Sequence, residues 1–333
     1  MVKNKLGCGF VIASIVLACC MAVPNSTGAA EIKAEKPKIK LGMSLNSSSF
    51  LPVYVGLDRG LFKKEGLEVE LITFSGGSDL IKGVVGGSID IGYSGLASLS
   101  LGIDADQKMK VFYAGNNSPE FSWNAVPKIK SMADARGTRV GITRYGSTTD
   151  TITRYAVKAQ GLDPMKDVKI IQAGVSTARM AAMDKGQLDI SIFASPDHII
   201  AEEKGYKIIL RQKDLAKEFP MQDFYAMEKF IKENPNTIKV FLRGYVQAVR
   251  LAKKDRELSI NTIVERVGLE KKYASRAYDE MIDAIYEDGR WPDDKSMDVF
   301  WEVGVMSGTY KEKWPLEKFF VSSFVDTYSQ WKP

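Results

Sequence analysis

One pattern occurs twice in this chain at a fixed spacing, and that repetition limits the folds open to it. Residues 39–44 form an apolar, strand-like run, followed by Ser47-Ser48-Ser49 and a helical stretch that closes on Gly66-Leu67. A second strand follows at 69–72, then Gly76-Gly77-Ser78, a short helix, and Gly87-Ser88-Ile89-Asp90-Ile91. From residue 139 the order returns: a strand at 139–143, Ser147-Thr148-Thr149, a helix closing on Gly161-Leu162, and a strand at 168–171. Ser176-Thr177, another helix and Gly186-Gln187-Leu188-Asp189-Ile190 complete it. Gly42 to Gly141 and Gly87 to Gly186 are both offsets of 99 residues. Two βαβαβ units predict an α/β protein with two similar lobes, and a cleft between such lobes is a natural place for a small molecule. The alternative is one doubly wound domain.

The first thirty residues differ from the rest. Lys3 and Lys5 precede an uncharged, apolar-rich run over 6–23, which Pro24 breaks, and small residues lead to Ala30. This is the layout of a cleaved export signal. An uncleaved anchor is one alternative. A lipoprotein is another, because Val16-Leu17-Ala18-Cys19 loosely resembles a lipobox in which Cys19 would carry the lipid. The three cysteines, Cys8, Cys19 and Cys20, all lie in this leader, so a chain cut after Ala30 has neither disulfides nor thiol chemistry. The cut leaves 44 Lys and Arg against 41 acids, a net charge of +3, which gives no support for nucleic-acid binding.

The expected domains are a signal peptide at 1–30, the first part of lobe one at 31–125, lobe two at 126–222, and a return to lobe one with C-terminal helices at 223–333. The stretch 122–126 is expected to cross toward lobe two, and 219–227 to return as a strand. From Pro235 the chain has helical periodicity. These helices are expected to complete lobe one and brace the hinge; an all-helical domain of their own is the alternative.

Catalytic constellations are thin. There is one histidine, His198, and no H-E-x-x-H, G-x-S-x-G, P-loop or G-x-G-x-x-G. No catalytic residue, metal or cofactor is expected. Asp90 and Asp189 stand at equivalent places, which suits a turn or capping role in each lobe. His198 is expected to be exposed or to neighbour a cap.

What recurs is binding chemistry where strands hand over to helices. Lobe one offers Ser44, Asn46, Ser47, Ser48, Gly77, Tyr93 and Ser94; lobe two offers Gly146, Ser147, Thr148, Ser176 and Ser195. Helix starts present free N–H groups and the positive end of a dipole, and short hydroxyls add donors. Two facing sets would grip an anionic head; plain N-capping is the other reading. Arg144, directly after a strand, is a candidate anion partner, and Arg179 is either a second one or a surface ion pair. Trp123 and Phe121, on the expected crossover, would stack on a ligand or pack the hinge.

Several stretches carry a family likeness. They are 50–56 through Gly60-Leu61-Phe62-Lys63-Lys64-Glu65-Gly66-Leu67, then 87–92, 137–142, 146–150 through Gly161-Leu162-Asp163-Pro164, and 230–235. In these the chain resembles the substrate-binding proteins of ABC importers, in the nitrate/taurine/sulfonate and thiamine-pyrimidine-precursor-like family. The resemblance implies a two-lobed type II periplasmic-binding fold, a monomer in the periplasm that closes on a small-molecule solute and docks on an ABC permease with its ATPase. It also implies ligand contacts from the 44–48 loop, the Tyr93-Ser94 turn and the 146–149 helix start. The chain departs from the family where Ser195-Pro196 stands in place of Glu-Pro, which weakens the case for a cationic group on the ligand. A ligand sensor for a membrane receptor, or a pyrimidine-precursor enzyme, are the alternative functions.

Overall fold

The computed structural model describes residues 32–306 and 310–333; the stretches read above as an export signal and as a lipobox-like run at Cys19 lie outside the described residues. The strands are β1 (Lys38–Met43), β2 (Glu68–Thr73), β3 (Ile91–Ser94), β4 (Met109–Asn116), β5 (Ser122–Ala125), β6 (Arg139–Ile142), β7 (Lys169–Gln172), β8 (Ile190–Phe193), β9 (Lys207–Arg211) and β10 (Gln222–Met227). The helices of the two repeats are α1 (Leu51–Asp58), α2 (Leu61–Lys64), α3 (Gly77–Val85), α4 (Leu96–Asp104), α5 (Thr148–Ala159), α6 (Ser176–Asp184) and α7 (Asp197–Glu203). Then follow α8 (Glu228–Glu233), α9 (Pro235–Lys254), α10 (Arg256–Val267), α11 (Lys271–Met281), α12 (Asp294–Met306), α13 (Ser323–Asp326) and α14 (Tyr328–Trp331).

The strands form two five-stranded sheets in the orders β2-β1-β3-β10-β4 and β7-β6-β8-β5-β9. In each, the first three strands are parallel and the fourth runs antiparallel to both its neighbours. β5 enters the second sheet from the first lobe, and β10 returns the chain to the first sheet. The chain therefore crosses over residues 117–121, a few positions before the expected 125, and again between β9 and β10.

The 99-residue repeat governs register as well as order. Phe224 of β10 lies opposite Tyr93 of β3, and Trp123 of β5 lies opposite Ile192 of β8. Tyr225 faces Gly92, and Asn124 faces Ser191. The repeated aspartates also do the same thing. Asp90 accepts the N–H of Lys40 at 2.9 Å, and Asp189 accepts that of Arg139 at 3.0 Å. Each carboxylate thus ties the start of its lobe's third strand to its first. This replaces the expected turn or helix-cap role.

Lobe one closes around aromatic rings. Tyr93 stacks on Phe224 with ring centroids 3.9 Å apart, and Tyr245 of α9 meets Phe224 edge-on at 4.8 Å. α9 presents Ile238, Phe241, Leu242, Tyr245, Val246 and Val249 at helical spacing, and all are buried with β1 and α1 side chains. Its first turn holds Pro235, where a missing N–H costs nothing. α12 departs from the remaining C-terminal helices. Its Met297, Phe300 and Trp301 share a core with Ile152 and Ala156 of α5, so it braces lobe two.

Candidate functional site

The loops at the carboxyl ends of β1, β3 and β6 converge where the two sheets face each other, with the starts of α3 and α5 beside them. The residues lining this junction are Ser44, Leu45, Gly76, Gly77, Gly95 and Ser98 from lobe one, and Thr143, Ser147, Thr148 and Thr149 from lobe two. Phe121 from the first crossing, together with Met221 and Gln222, closes it. No side chain in this lining is charged. The space left is about 20 Å³, room for roughly one water, so the lobes are closed on each other. A β-carbon on Gly95 would sit 2.6 Å from the Thr148 hydroxyl and 2.9 Å from the Met221 carbonyl, so only glycine lets the lobes approach this closely.

In lobe two the hydroxyls form a closed triangle. Thr143 Oγ1 lies 2.9 Å from Ser147 Oγ and 2.6 Å from Thr149 Oγ1, and the last two are 2.8 Å apart. Ser147 also donates to the Arg144 carbonyl at 2.7 Å. It occupies the cap position of α5 yet makes no side-chain capping bond. The N–H groups of Asp150 and Thr151 bond the Ser147 carbonyl at 3.0 and 3.1 Å, which leaves those of Thr148 and Thr149 at the helix start without a side-chain cap from Ser147. Gln222 adds an amide whose carbonyl oxygen is buried without a partner.

The structure separates the sequence candidates. Ser44, Gly77, Ser147 and Thr148 meet at the junction. Ser48 is fully buried and donates to the Ser195 carbonyl across the lobes at 2.9 Å. Ser47 caps the short turn after it. Asn46 points away: its amide bonds the Arg266 carbonyl and accepts from Tyr54. Tyr93 is interior to lobe one, with its hydroxyl 3.2 Å from that of Tyr245, and Ser94 pairs with Tyr225 at 3.1 Å. Trp123 is buried within the second sheet, bonded to Thr153 at 3.0 Å, so it is core rather than a stacking platform on the crossover. Gly146 holds φ 74° and bonds Asp150, shaping the turn before α5. Ser176 accepts from Arg179 behind the sheet.

The two arginines are both engaged. Arg144 reaches over the junction to Asp79 of α3 at 2.6 Å and to Ser75 at 2.6 Å, making it a clasp between lobes. Arg179 is neither an anion partner nor a surface ion pair. It is buried, its guanidinium spent on Ser191, the Gly174 and Ile192 carbonyls and the Phe193 ring, and burial holds its pKa down to about 10. His198 is also not at the surface: it is 2% exposed at the second position of α7, two residues after the cap position, with Nε2 3.4 Å from Glu280 Oε2 of α11.

Sequence reasoning missed Ser98, Thr143 and Gln222. Gln222 enters the junction because β10 returns there from the second crossing, whereas Ser98 and Thr143 each lie four residues from a candidate already singled out, Ser94 and Ser147, which is the local signal that could have shown them. Among the described residues, no group of three or more His, Cys, Asp or Glu is arranged to hold a metal ion, and no helix is long and apolar enough to cross a membrane.

Two mixed sheets of this order, each completed by an antiparallel strand that crosses the hinge, define the periplasmic-binding-protein fold. Solved structures agree. The periplasmic aliphatic sulphonate binding protein SsuA of Escherichia coli superposes with a TM-score of 0.69 at 17% identity, over 85% of this chain and 91% of that one. The ligand binding component of an ABC-type import system from Staphylococcus aureus does so at 0.74 and 12% identity, over 89% and 100%. The chain belongs to the NMT1-like family, which it matches over residues 32–265. A binding protein of Brucella abortus is 27% identical over 223 residues, 65% of this chain and 67% of that protein.

Proposed function

We propose that this chain is the extracytoplasmic solute-binding component of an ABC importer, a monomer that closes its lobes on a small anionic solute and presents the closed form to a membrane permease. The observation that carries this reading is the junction itself, an uncharged lining of hydroxyls and helix starts contributed by both lobes. An anion held there is bound by N–H and O–H donors and by the positive ends of α3 and α5, with no formal countercharge. That chemistry suits weakly basic oxyanions such as sulfonates, which bring several acceptors and no proton. The names of the sulphonate-binding and ABC-import structures point the same way. Arg144 acts on closure, through Asp79.

The test is a thermal-shift panel of nitrate, alkyl and aryl sulfonates, carboxylates and neutral pyrimidines. A ligand that binds only the native state raises the melting temperature. The expected result is a rise with oxyanions that is reduced in Ser147→Ala. A rise with neutral pyrimidines alone contradicts the anionic reading and leaves the solute-binding role standing.

A further inference from the structure

The two crossings are not the only backbone that ties the lobes together. Residues 284–293 leave the α11 region of lobe one and lie across both of them. The Asn117 N–H, on the first crossing, bonds the Ala284 carbonyl at 3.2 Å, and the Asn117 side-chain amide donates to the Arg290 carbonyl at 3.0 Å. On the second crossing, Glu218 accepts from the Tyr286 hydroxyl at 3.0 Å, the Arg290 guanidinium at 3.2 Å and the Asp293 N–H at 3.3 Å. One carboxylate thus gathers three donors of this segment onto the hinge.

α12 begins at the next residue and lies on lobe two. It packs on α5, and its Met297, Phe300 and Trp301 are buried in one core with Ile152 and Ala156. Phe300 also meets Phe219 of the second crossing, with ring centroids 5.4 Å apart. Beyond α12 the chain is fastened to lobe one again. Tyr310 accepts from Ser100 of α4 at 2.6 Å, and Phe319 packs against Trp301 at 5.3 Å. The Val111 N–H of β4 bonds the Phe319 carbonyl at 2.7 Å, and the Val321 N–H bonds the Val111 carbonyl at 2.8 Å.

We propose that α12 is a strap that holds the lobes closed: its moorings on either side belong to lobe one and the crossings, while the helix itself grips lobe two through α5. Lobe two cannot rotate about the crossings with both moorings and the α12–α5 seam intact. Opening breaks one of them, and the free energy of that contact is a bias toward the closed form acting away from the solute junction. A solute that binds only the closed form is then held less tightly in proportion to any closed fraction lost. This inference rests on the reading that the lobes open and close.

The test is the distance between two nitroxide labels, read by pulsed electron resonance with no solute added. The labels sit at Glu70→Cys in β2 and Lys169→Cys in β7, exposed and equivalent positions of the repeat, in a full chain whose Cys8, Cys19 and Cys20 are replaced by serine. The account predicts that Glu218→Ala, and independently Phe300→Leu, raise the ratio of open to closed distances by about three- to tenfold, through loss of hydrogen bonds to a charged group or of part of a buried ring. Met183→Ala, which loosens lobe two on its far face, leaves the ratio where it was. Arg144→Ala removes the clasp at the cleft and opens the lobes by a separate route. Opening in Arg144→Ala but in neither strap variant overturns the strap and leaves closure standing. Distances unchanged in all three overturn the strap and the closure reading together. A shift in Met183→Ala as large as in the strap variants overturns the strap as a specific contact.

Discussion

The two lobes share a backbone plan and differ in what fills it. Position by position, Phe224 against Tyr93 in lobe one corresponds to Trp123 against Ile192 in lobe two. Lobe one then stacks further rings, Phe112, Tyr113, Phe241 and Tyr245, and backs them with α9 and α10. The far face of lobe two holds only a small cluster around Met180, Met183, Leu188 and Phe193. The equivalent edge strands do not share in this difference: β7 and β2 are both at best half-buried along their length. One plan thus yields one heavily packed lobe and one packed more lightly on its far face. The exchanged strand shows how such divergence is tolerated. Where β10 carries the bulky Tyr225, its opposite is Gly92; where β5 carries Asn124, its opposite is Ser191. A β-carbon on Gly92 would land inside the Tyr225 ring.

The largest expected effect tests the weight of lobe one. Phe224→Ala removes the ring on which Tyr93 stacks and should lower unfolding free energy by about 3–5 kcal/mol in urea denaturation. A loss below about 1 kcal/mol would mean that the aromatic cluster does not hold this lobe. The next effect sharpens the strand comparison. Gly92→Ser imposes on lobe one the residue of lobe two and should cost about 1–3 kcal/mol through overpacking. Adding Tyr225→Asn, the matching lobe-two residue, should recover part of that loss, with a coupling of about 1 kcal/mol in a double-mutant cycle. Additive losses would break the position-by-position equivalence.

Two aspartates make the lobes respond oppositely to pH. Asp223 of β10 is buried with both carboxyl oxygens unpartnered, and burial raises its pKa well above the ordinary value. The folded protein then holds a proton that the unfolded chain releases near pH 4, so stability falls as pH rises above about 4. Asp223→Asn should remove this dependence and add about 1–3 kcal/mol at neutral pH, seen as a higher melting temperature at pH 8 than the parent. An unchanged pH profile would refute it. Asp189 behaves in the other sense. Arg139 holds its carboxyl below the ordinary value against the opposing effect of burial, so its contribution is present above about pH 4 and is lost as pH falls. Because Arg139 is partly exposed, Asp189→Asn should cost only about 0.5–1 kcal/mol at pH 7 and progressively less as pH falls below about 4.

The fold was legible in the sequence because the repeat is local information. Gly42 and Gly141 mark strand centres that leave room for Leu80 and Leu188, and the G-x-[IL]-D-I segments place Asp90 and Asp189 to bond the first strands. The helix starts at Gly77 and Thr148 were legible for the same reason. The rest of the site was not, because it exists only across lobes. Nothing near Arg144 announces Asp79, which is 65 residues away in sequence, and nothing near His198 announces Glu280. Asn46 and Tyr93 looked like ligand residues from their place at strand ends, yet α9 and α10 arrive from the far end of the chain and claim them.

The central claim, that closure of these two lobes on an anion is how the protein works, is tested most directly by small-angle scattering with and without a saturating alkanesulfonate. The account predicts a more open ligand-free shape that contracts on binding to a profile matching the closed structure, and a weaker contraction in Ser147→Ala. One and the same profile in both conditions, with no sulfonate detectably bound, would contradict it.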